Sequence, residues 1–192
     1  MSVIGKGVFV KNNAVLDSLL EDTFAGAYVN NRITTLTTFG LAYRHGITSV
    51  TMNELTNSQY YIFSHCTSLV SVSLPKLSYV GQYDFHTCSS LNNVDIPKAT
   101  ALMSYAFINC GALERLNLPK VNSIGIYAFQ NCSSLDIIVL GMRASLTNVN
   151  AFDNCPAFIY VEDNDLSWYS TATNWSVLYG QGRIKSKSEL EE

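Results

Sequence analysis

Five cysteines and three histidines are the residues in this chain whose types suit redox, metal or nucleophilic chemistry, and their spacing decides whether they perform it. Cys66, Cys88, Cys110, Cys132 and Cys155 follow one another at intervals of 22, 22, 22 and 23 residues. No Cys-x-x-Cys occurs, so the zinc patterns that bring paired thiolates to one ion are missing. A fixed interval instead gives each thiol the same place in one coil of a stack. Coils stacked about 4.8 Å apart, with parallel Cβ vectors, hold the Cβ atoms beyond the ~3.8 Å usual for a disulfide. Packed, reduced thiols are the expectation. His45, His65 and His86 fall at three different places in the interval, with no second ligand recurring at metal spacing, and are expected to be structural. The sequence holds no Gly-x-Ser-x-Gly and no glycine-rich phosphate loop. These residues predict no catalytic centre, no metal and no cofactor.

What repeats around the cysteines is a core. Three residues before each stand Phe63, Phe85, Phe107, Phe129 and Phe152; three after stand Leu69, Leu91, Leu113, Leu135 and Phe158. Six after come Val72, Val94, Leu116, Ile138 and Val161, and eight after come Leu74, Ile96, Leu118 and Leu140. The alternation Val72-Ser73-Leu74 predicts a short strand with one buried face. Pro75, Pro97 and Pro119 follow and, lacking an N–H, end it. The chain returns through Leu77 and Val80. One period cannot bury its own apolar face, whereas stacked periods can. One degenerate period precedes the rest, with Leu41, Ile47, Val50, Met52 and Leu55 in register and Arg44 in the cysteine's place. An end coil with a single neighbour tolerates that.

Three surface rows are candidate binding sites. Along each strand the residues between the buried ones point outward: Ser49 and Thr51, Ser71 and Ser73, Asn93 and Asp95, Arg115 and Asn117, Ile137 and Val139. Solenoids bind partners on such extended faces. Asn93, Asp95, Arg115 and Asn117 form the expected polar patch, with Arg115 as anchor because its planar fork matches carboxylates. A rival row, Tyr61, Tyr83, Tyr105 and Tyr127, stands two before each phenylalanine. These rings either cover the coil edges or, chiefly at Tyr83, Tyr105 and Tyr127, hold a glycan or a protein. Lys76, Lys98 and Lys120 form a third row. It is either a solvated rim that discourages edge pairing or an anion-binding stripe.

The pattern divides the chain into an N-terminal segment, 1–40, a solenoid, 41–158, and a C-terminal segment, 159–192. In the first, Leu16, Leu19, Leu20 and Phe24 fall on one face of a helix expected after Asn12 or Asn13. It is either a cap on the first coil or an attachment or oligomerisation segment. In the last, Phe158–Val161 reads as the final strand. A short helix over Leu166–Trp175 is expected to set Trp168 and Trp175 over the open end, and the charged tail from Lys185 to fray. A hydrophobic fraction of 47% against 14% charged describes a folded chain. A net charge of −3 gives no reason to expect nucleic acid. No apolar run reaches the roughly 18 residues of a membrane span. The start, with no basic region leading into an apolar one, predicts no secretory signal.

The period Ile124-Gly125-Ile126-Tyr127-Ala128-Phe129-Gln130-Asn131-Cys132-Ser133-Ser134-Leu135 closely resembles the BspA-like, Treponema pallidum type leucine-rich repeats, over roughly residues 41–163. The ending, from Ile159 through Trp175 to Glu189, is similar to a tail found after such repeats in phage and prophage proteins. The resemblance implies an α/β solenoid, a right-handed leucine-rich repeat of about 22 residues per coil with a parallel concave sheet. It implies a non-catalytic adhesion or host-recognition role. The expected setting is a virion, with a bacterial cell surface or an intracellular protein-binding inhibitor as alternatives. Expected partners are a protein or surface glycan, other virion proteins through the N-terminal segment, and further copies of the chain.

Overall fold

The computed structural model describes residues 2–3, 9–10 and 25–190. Near the N-terminus β1 (Ser2–Val3) pairs antiparallel with β2 (Phe9–Val10). The helix expected before Phe24 lies outside the described residues. The chain then winds through β3 (Gly26–Val29), β4 (Thr35–Leu36), β5 (Ile47–Thr51), β6 (Asn57–Ser58), β7 (Ser71–Ser73), β8 (Asn93–Asp95) and β9 (Ala101–Leu102). It continues through β10 (Arg115–Leu118), β11 (Ser123–Ile124), β12 (Ile137–Leu140), β13 (Ser145–Leu146), β14 (Phe158–Val161) and β15 (Ile184–Ser186).

The main strands pair in parallel with the register that the repeat dictates: Val50 beside Val72, Val72 beside Val94, Leu116 beside Ile138. They form two four-stranded sheets, β3-β5-β7-β8 and β10-β12-β14-β15, rather than the one continuous sheet expected. The break falls beside Val94, which stays half-buried where Val72 and Leu116 are buried. Across the core a second, shorter ladder runs through β9, β11 and β13, with β4 paired to β6. On the return path Leu77 is buried, and the buried Val80 extends this ladder by pairing with Leu102.

Between these ladders lies a core of stacked like residues. Phe63, Phe85, Phe107, Phe129 and Phe152 stack with ring centroids 5.2, 5.0, 5.8 and 5.5 Å apart. Four thiols each donate to the carbonyl 25 residues earlier, from Cys66 to Leu41 and from Cys88, Cys110 and Cys132 to Phe63, Phe85 and Phe107, at 3.0–3.1 Å. Each of these four cysteines therefore ties its coil to the one before; the carbonyls of Phe63, Phe85 and Phe107 also accept from the backbone N–H three residues on, so the thiol adds a second bond to them. All five are free and buried.

The ends depart from the sequence reading. Parallel pairing begins at β3, ahead of the degenerate period, with Tyr28 beside Val50. In the last coil Pro156 follows Cys155 directly, and the strand starts two residues early. Ile138 therefore pairs with Ile159, not Val161. Ala157 fills the inward place expected for Phe158, whose ring is exposed. The expected helix over 166–175 is two helices, α1 (Leu166–Tyr169) and α2 (Trp175–Gly180). The Ser170 and Thr171 hydroxyls turn back onto the carbonyls of Ser167 and Trp168, and Asn174 is left-handed at φ 65°, so the helix stops between them. Tyr169 and Trp175 enter the core, while Trp168 stays half-buried. The tail does not fray as expected: β15 adds a parallel strand, and Lys187–Leu190 forms a 3-10 turn.

Candidate binding faces

The outward strand face places its residues as the period of two requires. Arg115 and Asn117 on β10 stand beside Ile137 and Val139 on β12, and these beside Phe158 and Tyr160 on β14. The turn after β15 comes back over this face. Its Lys187 and Leu190, with Arg115, Asn117 and Val139, line a groove of about 310 Å³. The turn is anchored by acidic residues at the end of β14: Lys187 pairs with Glu162, and the Ser186 hydroxyl donates to Asp163. Expecting that tail to fray hid Lys187 and Leu190 as site residues.

β8 still lies against β10, without ladder hydrogen bonds between them, so the four residues of the patch stand on neighbouring strands. Asn93 and Asp95 lie on the other sheet, and Asp95 accepts a hydrogen bond from Ser73 at 2.9 Å. Arg143 pairs with Asp165, and the Arg183 guanidinium donates to the carbonyls of Cys155 and Ala157. Arg115 forms no ion pair among the described residues. Its donors are available to a partner's carboxylate or phosphate. In the lysine row, Lys76 reaches both carboxylate oxygens of Glu54 on the preceding coil at 2.8 Å.

The lateral face carries the tyrosines. Tyr61, Tyr83, Tyr105 and Tyr127 stack face to face at 4.7, 4.5 and 5.2 Å, and Phe39 extends the row at 4.9 Å from Tyr61. All five are left-handed, with φ between 56° and 63°. Four residues on runs a second left-handed row: Tyr43, His65, Thr87, Asn109, Asn131 and Asn154. Its asparagines form a ladder, Asn131 donating to Asn109 at 2.8 Å and Asn154 to Asn131 at 2.9 Å. Asparagine and histidine tolerate this backbone better than most residues.

Two of the three histidines, His65 and His86, meet on this face although they hold non-equivalent places in the repeat. Ser64 and His86 are 22 residues apart and hold the same place in adjacent coils. The Ser64 hydroxyl lies 2.9 Å from His65 Nδ1 and 3.3 Å from His86 Nδ1. His65 stacks on Tyr43, and His86 meets Tyr83 edge-on. Burial, and then the neighbouring His65, lowers the pKa of His86, which favours the neutral ring. Ser64 is buried beneath the two rings. The arrangement holds those rings in place and offers no accessible nucleophile.

The chain's relatives fit this geometry. The family model described as BspA type leucine rich repeat region matches residues 56–165 in six copies. No curated protein matches the chain. Among solved structures, a leucine-rich repeat protein of T. pallidum superposes with a TM-score of 0.64 and 22% identity, over 70% of this chain and 68% of that one. A leucine-rich repeat protein from Bacteroides ovatus superposes at 0.65 and 24% identity, over 76% of this chain and 39% of its own. A leucine rich cell surface protein from Faecalibacterium prausnitzii superposes at 0.57 and 19% identity, over 72% of this chain and 48% of its own. The chain thus spans less than half the length of the last two. With more than half of its residues matched by the family model and every coil built on the same buried ladder, this chain belongs to the BspA-type leucine-rich-repeat family.

Proposed function

We propose that the chain is a non-catalytic binding module that takes an acidic group of its partner into the groove beside Arg115. The observation that carries this reading is the unpaired guanidinium on a rigid strand, next to the Asn117 amide and the apolar Val139. A planar fork held in place donates two parallel hydrogen bonds to a carboxylate or phosphate at little ordering cost. The partner is a protein or a surface glycan bearing such a group. Two settings fit. A bacterial cell surface is favoured by the F. prausnitzii structure, a cell surface protein of the same fold. A virion is favoured by the likeness of the tail to phage proteins. In either, attachment or self-association belongs to the segment ahead of β3.

Labelled protein is applied to intact bacteria and to purified envelope, and binding is read as a function of concentration. Arg115→Ala with Asn117→Ala is expected to weaken binding about tenfold or more, as truncation of a charged interfacial contact does. Unchanged binding in the folded double variant refutes the groove. Immunogold labelling of cells, and of particles released after prophage induction, separates the two settings.

A further inference from the structure

We propose that the lateral face, the tyrosine row together with the asparagine row beside it, binds a linear neutral polysaccharide laid along the axis of the stack. This is a surface separate from the Arg115 groove.

The first ground is that the ring stack does not itself require tyrosine hydroxyls. Phe39 stacks on Tyr61 at 4.9 Å as well as the tyrosines stack on one another, so a ladder of phenylalanines would serve the coils equally. The backbone gives no reason for tyrosine either. Each rung is left-handed, which disfavours any residue with a Cβ, and ring stacking offsets that cost for phenylalanine as much as for tyrosine. The row then carries four consecutive hydroxyls, each able to donate and accept. Tyr83 and Tyr105 share a hydrogen bond between their hydroxyls, and the Asn150 amide donates to Tyr127 at 3.3 Å; each oxygen keeps capacity for a further partner.

Geometry and charge select the partner. Because the rings cover one another's faces, they offer edges and hydroxyls, not flat platforms. These recur every 4.5–5.2 Å in a straight line, comparable to the advance per sugar of an extended linear glycan. The second row recurs with the same period, and its asparagines, already linked in a ladder, keep further amide donors and acceptors. Between the rows stand His86, Ile108 and Gln130, with His86 favoured neutral. No carboxylate or ammonium stands among these positions until Asp153. A neutral array of repeating donors and acceptors suits a neutral, hydroxyl-bearing polymer of matching repeat.

The test is native gel electrophoresis through gels containing mixed-linkage β-glucan, glucomannan or xylan, with polygalacturonate as the anionic comparison. At least one neutral polymer is expected to retard the protein. The triple variant Tyr61→Phe, Tyr83→Phe, Tyr105→Phe keeps the stack and removes three hydroxyls. Its Kd is expected to rise about tenfold, whereas Arg115→Ala migrates as the parent does. Thermal melting checks the fold; Asn131→Ala provides an independent variant on the second row, with weaker retention expected. The proposal is overturned if no neutral polymer retards the protein or if the folded Phe variant is retarded as strongly as the parent. Retardation by polygalacturonate alone, abolished by salt, overturns it too. Because Arg115→Ala is measured in the same gels, failure here and failure of the groove are read separately.

Discussion

At the scale of single residues, the clearest departures from the repeat carry the sharpest consequences. Asp84 stands where neighbouring coils place Ile62, Ala106 and Ala128. It is fully buried, and its carboxylate accepts from the backbone N–H of Gly81 at 2.6 Å and of Ile62 at 3.3 Å. Burial pushes its pKa up to about 7, against the partial offset of the Ser58 hydroxyl and those two backbone hydrogen bonds. The folded pKa thus exceeds the unfolded value of about 3.9, so folding favours the protonated acid. Its contribution to stability is fully present below about pH 4 and is lost as pH rises through 7. Asp84→Ala, which restores the side chain of later coils, is expected to remove this term. In urea unfolding at pH 4.5, 6 and 7.5, the parent should lose stability relative to the variant as pH rises. A constant difference would mean Asp84 does not titrate in that window. Such residues are hard to read from sequence. A periodicity argument averages over coils, and one carboxylate in an alanine place registers as noise. The Ser64–His65–His86 cluster escaped for a related reason: its members occupy two different places in the period and meet only because adjacent coils touch.

At the scale of elements, what the sequence made legible is what every coil repeats. The phenylalanine and cysteine ladders, the inward leucines and the 22-residue strand register follow from one rule applied over and over, and they are where the spacing puts them. The ends answer to other rules. Pro156 shortens the last coil, and a closing segment has to satisfy the final ladder's open carbonyls and cover its last ring. Trp175 does both: its indole Nε1 donates to the Ala144 carbonyl, and its ring lies 6.1 Å from Phe152. Tyr169 packs edge-on against it at 5.1 Å, and its hydroxyl bonds to the Met142 carbonyl and the Ala144 N–H. Nothing in the repeat distinguishes Trp175, which is buried, from Trp168, which is not. The groove was half legible for the same reason: Arg115 and Asn117 obey the strand period, whereas Lys187 and Leu190 belong to the closing segment. Trp175→Ala is expected to cost about 3–5 kcal/mol, the range for a buried large aromatic, measured by urea unfolding. A loss below about 1 kcal/mol would show that the closing segment is not needed to hold the last coil.

At the scale of the whole molecule, the question is whether the break between β8 and β10 divides the stack into two folding units. Stability in a coil stack is approximately a sum of coil terms and nearest-neighbour terms, so a weak interface would let the halves melt apart. The main sheet is interrupted there, but the rest of the interface is continuous. Phe107 stacks on Phe129 at 5.8 Å, and the Phe107 N–H donates to the Ala128 carbonyl at 2.8 Å. The Cys132 thiol reaches the Phe107 carbonyl at 3.0 Å, β9 pairs with β11, and Asn131 joins Asn109. These links lie on the core, the short ladder and the lateral face, so the lost strand pairing is one connection among several. The expected outcome is one cooperative transition. Both tryptophans lie beyond the break, so indole fluorescence reports the C-terminal half while far-UV circular dichroism reports the whole. The two signals should trace the same urea curve. Leu113, buried in the turn that leads into β10, probes the same junction. Leu113→Ala is expected to lower stability by about 2–5 kcal/mol, with the two signals still coincident and the slope unchanged. If the curves separate in the parent, or only in the variant, the sheet break is a boundary between two units and the ladders do not couple them strongly enough to unfold as one.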